Sequence, residues 1–108
     1  MIKLQGLRIP PGWEMVINKF LEIDVEQCSP DSDIWLDLTQ DIMYMKRTSK
    51  RKDKNIAIDL GWYPDNDPEG SFHLVVIKDD NWEEPVEEFD SRSKDEIVSR
   101  IEELLMKY

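Results

Sequence analysis

The run Phe72-His73-Leu74-Val75-Val76-Ile77-Lys78 constrains the fold more than any other segment of the chain. Leu74 to Ile77 leave neither face polar, and a strand that is apolar on both faces belongs near the centre of a sheet. Upstream, Asn55 to Tyr63 has the period of a strand. Ile56, Ile58, Leu60 and Trp62 fall on one face, and Ala57, Asp59 and Gly61 on the other. Between the two lies Pro64-Asp65-Asn66-Asp67-Pro68-Glu69-Gly70, whose prolines and glycine mark a turn. The two strands are therefore expected to pair antiparallel.

The C-terminus carries the opposite periodicity. Ser93-Lys94-Asp95-Glu96 is a capping box, in which the Ser93 hydroxyl accepts from the Glu96 amide. Ile97, Ile101, Leu104, Leu105 and Tyr108 then form one helical stripe, opposite Asp95, Ser99, Glu102, Glu103 and Lys107. Strands followed by one amphipathic helix imply an α+β fold. It is expected to be an antiparallel sheet of about four to six strands with the C-terminal helix packed on one face. The other face is left partly open. At 108 residues the chain fits one domain, 1–108, without repeat or linker.

The remaining segments are less decisive. Ile2 to Ile9 alternates weakly and stops at Pro10-Pro11-Gly12, as an edge strand or extended arm would. Trp13 to Val25 fits a helical stripe, yet its β-branched and aromatic residues and the missing N-cap favour a strand. On that reading Trp13, Met15, Ile17, Lys19 and Leu21 share a face. Ile34 to Met45 places Ile34, Leu36, Leu38, Ile42 and Tyr44 at even positions, which predicts a strand that Thr39-Gln40-Asp41 can break in two. Lys46 to Lys54 holds six of the 14 basic residues and reads as an exposed hairpin loop. Asp79 to Ser91 is an acidic connector, with Trp82, Val86 and Phe89 able to lie against the sheet.

His73 is the one histidine and sits inside the apolar strand, and no nucleophile elbow exists for it to serve. Asp65-x-Asp67-x-Glu69-Gly70 copies the opening of a calcium loop, but the twelfth position, which needs a bidentate glutamate, is Val76. The carboxylate pairs Asp79-Asp80, Glu83-Glu84 and Glu87-Glu88 lack the contrasting environments that acid–base catalysis needs. With four glycines there is no phosphate cradle, and the lone Cys28 supports neither a disulfide nor a cysteine metal site. The expectation is a non-enzymatic protein with no cofactor and no metal.

The formal net charge of −10 opposes nucleic acid and anionic lipid as main partners. It is also unevenly placed. Asp79 to Asp90 contains seven acids with Trp82 and Phe89 and no base. Tryptophan supplies anchor area at interfaces, and acids steer a basic partner. The partner-binding candidates are accordingly Asp79, Asp80, Trp82, Glu83, Glu84, Glu87 and Glu88, with Asp65 and Asp67 from the hairpin turn. No apolar run reaches the length of a membrane span, no signal-peptide pattern opens the chain, and a cytoplasmic location is expected.

Asp59-Leu60-Gly61-Trp62-Tyr63-Pro64, then Asp67-Pro68-Glu69-Gly70, then Trp82 and Arg92-Ser93, with Asn18-Lys19-Phe20 upstream, complete a pattern from about Trp13 onward. It resembles small bacterial immunity proteins of contact-dependent inhibition and other polymorphic toxin systems. The resemblance implies a cytoplasmic protein that binds and neutralises a cognate toxin domain, often a basic nuclease, and it assigns no individual residues. A sheet edge can also accept a toxin strand. Two other readings stay open. One is an acidic housekeeping interaction module or subunit. The other is a small-molecule binder or enzyme with a pocket near His73. Monomer and homodimer are both compatible with the sequence.

Overall fold

The computed structural model describes residues 3–47 and 55–108. Five strands form one antiparallel meander in the order β1-β2-β3-β4-β5: β1 (Trp13–Asn18), β2 (Met43–Arg47), β3 (Ile56–Tyr63), β4 (Ser71–Lys78) and β5 (Glu87–Ser91). An α-helix, α1 (Lys94–Lys107), follows and covers one face. Every sequential pair is hydrogen-bonded, so the sheet needs no crossover.

The β3–β4 hairpin is the centre of the sheet. Its register runs from Ile56 opposite Lys78 to Tyr63 opposite Ser71. Alternation then sorts the side chains. Ile56, Ile58, Leu60 and Trp62 join Phe72, Leu74 and Val76 in the main core, with Met43 and Met45 from β2. Ile97, Ile101, Leu104 and Leu105 of α1 close it, as the helical stripe predicts. Ser93 caps the helix by accepting from the Glu96 amide. Ala57, Val75 and Ile77 form a second, smaller apolar patch on the opposite face, packed against Tyr44. That second patch explains why Leu74 to Ile77 is apolar on both sides.

Two expectations fail, one through local side-chain bonds and one through strand pairing. Ile34 to Met45 is not a strand over most of its length. Asp33–Asp37 is a 3₁₀ turn, and only Met43–Arg47 is extended. The Ser32 hydroxyl accepts from the Ile34 amide, and the Trp35 indole donates to the Ser29 carbonyl at 2.7 Å. These side-chain-to-backbone bonds offer the chain a tighter path than a ladder. Trp35 then tilts against Trp62, with centroids 5.9 Å apart. In β2 the buried positions are the odd ones, Met43 and Met45, while Tyr44 points to the opposite face.

The second failure lies in β1. A register shift between Met15 and Ile17 sets Met15 opposite Met45 but Ile17 opposite Tyr44, so Trp13, Met15 and Ile17 do not share one face. The strand reading itself holds for Trp13–Asn18. Residues 3–5 form the expected extended arm, bridging Leu4 to Leu21. The Lys46–Lys54 loop lies outside the described residues from residue 48 onward; Lys46 and Arg47 close β2.

Pro64 to Gly70 is the hairpin connection between β3 and β4. The Asp67 carboxylate accepts from the Glu69 amide, and its carbonyl accepts from the Trp62 indole at 2.8 Å. Gly70 has to be glycine, because a Cβ there would lie 2.6 Å from the Tyr63 carbonyl oxygen.

Candidate acidic sheet face

The face of the sheet opposite α1 carries the unexplained chemistry. Successive rungs place Tyr44 beside Asp59, Asp59 beside Val75, and Val75 beside Glu88. On the next rung Gly61 lies beside His73 and His73 beside Asp90. Gly61 leaves room for the backbone before β2, since a Cβ there would collide with the Gln40 carbonyl and the Tyr63 ring. Asp41 follows directly in that segment, close enough to raise the pKa of Asp59.

Asp59 is the most perturbed carboxylate of this face. Burial pushes its pKa up to about 6, the neighbouring Asp41 charge adds to the rise, and His73 opposes both. Tyr63 is held above the usual phenol range by burial and then by Asp59, Asp41 and Asp65. Tyr44 is raised by burial and then by Asp80 and Asp59. Both phenols thus register the same negative field. His73 Nδ1 bonds the Asp90 carboxylate, and its ring meets Tyr63 edge-on with centroids 5.7 Å apart.

One end of the face is roofed by the β4–β5 connector. Asp79 and Asp80 both take left-handed backbone angles, φ 53° and 59°. The Asp79 carboxylate accepts from the Asn55 amide, which anchors the reversal. The chain then turns Trp82 back over the sheet, where it stacks on Tyr44 at 6.1 Å with planes 24° apart. Trp82 is nevertheless 50% exposed. A groove of about 310 Å³ beside the stack is lined by Tyr44, Lys46, Asn55, Ala57, Ile77 and Asp80, among others.

Comparison with protein-family models, with curated proteins and with solved structures returns no match.

The sequence candidates do not form one surface. Asp79, Asp80, Trp82, Glu83 and Glu84 share the connector, and Glu88 lies on the open face beside Val75. Glu87 points the other way. It accepts from Lys107 at 2.9 Å and from the Tyr108 hydroxyl, tying β5 to the end of α1. These bonds hold its carboxyl below the usual range, and burial with Glu87 drives Tyr108 up to about 12. Asp65 and Asp67 occupy the hairpin at the opposite end of β3 and β4 from the connector.

Asp41, Tyr44, Asp59 and Asp90 are members of the face that composition does not reveal. Register unites Tyr44, Asp59 and Asp90, and the crossing of the Gln40 backbone over Gly61 brings Asp41. The signal for Asp59 was present, as the one acid in an otherwise apolar strand, on the alternation that faces away from the main core.

The geometry also bears on catalysis. His73–Asp90 is an oriented imidazole–carboxylate pair, but among the described residues no serine, threonine or cysteine side chain bonds the His73 ring. Cys28 lies elsewhere, donating to the Asp24 carbonyl and packing on the main core. Among the described residues no group of three or more His, Cys, Asp and Glu is arranged to hold a metal ion. No helix there is long and apolar enough to cross a membrane. A cavity of about 590 Å³ at the start of α1 is lined by Asp24, Glu26, Arg92, Lys94 and Asp95, among others, whose charges pair internally as Arg92–Glu26 and Lys94–Asp95.

Proposed function

We propose that the chain is a non-enzymatic, cytoplasmic binding protein that meets a basic protein partner on the open face of its sheet. The partner expected from the family resemblance is a toxin domain, and the effect of binding is to neutralise it. One observation carries the reading: Asp59 is held half-buried at the middle of that face, next to Asp41, where both burial and like charge oppose its ionisation. A sheet of this size gains stability from an apolar or amide residue at such a position. A cation delivered by a partner would relieve the repulsion and convert the cost into affinity. Asp90, Glu88 and Asp80 extend the negative field across the face, and a positive nuclease surface is its natural complement.

The test compares two variants of equal net charge as bait in extract of the native host. Glu83→Lys/Glu88→Lys alters the open-face side, and Asp95→Lys/Glu103→Lys alters the exposed side of α1. A basic protein retained by the wild type and the helix variant, and lost from the open-face variant and at high salt, supports the reading. Its growth toxicity, relieved by co-expressing this chain, supports the toxin assignment. Equal retention by both variants contradicts the placement.

A further inference from the structure

We infer that Trp82, stacked on Tyr44 and bordered by Asp80, Glu83 and Glu84, is an anchor for an arginine side chain of the basic partner. The inference rests on the acidic-face reading and adds the chemistry of one contact. Three observations meet at this point. Trp82 is half exposed. It is held in place from below by the near-parallel Tyr44 ring. Its connector is turned back over the sheet by consecutive left-handed aspartates, a residue type that tolerates this conformation.

The ring's outer surface has an electron-rich face, and the acids around it are Asp80, which raises the pKa of Tyr44, and its chain neighbours Glu83 and Glu84. A planar guanidinium can lie flat on the indole while its edge bonds a carboxylate. An ammonium has no plane to stack and is more tightly hydrated. The site therefore favours arginine over lysine, unlike the rest of the face, which reads only positive charge.

The experiment titrates the full chain at low salt with nona-arginine and with nona-lysine, following the Trp82 indole resonance and the binding heat. Variants Trp82→Ala and Trp82→Leu are run in parallel, the second keeping an apolar cover over Tyr44. Expected is a preference for nona-arginine of roughly fivefold or more in the wild type. Both variants should lose that preference while holding their nona-lysine affinity. Equal binding of the two peptides by the wild type, or a preference that survives in both variants, overturns the arginine anchor and leaves the acidic face standing. Failure of both peptides to bind overturns the two together.

Discussion

At Asp59 the fold opposes a charge that the pH of a cell would otherwise impose. Its folded pKa of about 6 lies above the ordinary carboxylate value of 3.8, so the folded state binds the proton more tightly than the unfolded chain. Stability from this group is present below the ordinary value and is lost as pH rises through about 6. Asp59→Asn should thus raise stability at pH 7.5 by about 1 kcal/mol, a discounted figure because the carboxylate is partly solvated. The gain should vanish toward pH 4, as denaturant melts of both proteins across this window will show. The same variant should weaken capture of a basic partner. Glu87 has the opposite sign. Its lowered pKa supplies stability that is present at neutral pH and lost on acidification. Glu87→Gln should cost on the order of 1 kcal/mol and speed amide exchange in the last turn of α1, while leaving partner binding unchanged because the side chain is engaged with Lys107 and Tyr108.

The elements divide by how their information is distributed. The β3–β4 hairpin and α1 are legible in the sequence because period, turn chemistry and cap agree over contiguous residues. The Asp33–Asp37 turn is not, since its even-numbered apolar residues imitate a strand while the deciding bonds come from Ser32 and Trp35. The shift in β1 at Val16 is likewise set by pairing with β2 and leaves no mark in the local pattern. Contact across elements also fixes Gly61, where the segment before β2 crosses β3. Gly61→Ala should destabilise by about 1–3 kcal/mol, through displacement of the Gln40 backbone, and the loss should appear in thermal melts. Ser93→Ala removes the helix cap, and circular dichroism melts should show a loss of about 1 kcal/mol with the fold retained.

For the whole molecule, the sheet has one face spent on the core and one face that gathers charge. The acidic connector was visible as a run of letters, yet adjacency in the chain misplaced Glu87, because neighbouring strand residues point to opposite faces. Asp59 and Asp90 reach one face through strand register, and Asp41 joins Asp59 from the segment that crosses β3 before β2. A net charge of −10 would serve solubility from any position. What distinguishes a recognition surface is that place, and not total charge, controls association. The decisive measurement is the association rate of the captured basic protein with Glu83→Lys/Glu88→Lys and with Asp95→Lys/Glu103→Lys at low salt. The open-face variant should associate about tenfold more slowly than the helix variant, with the gap closing as salt is raised. Equal rates for the two variants would contradict the assignment of the open sheet face as the binding surface.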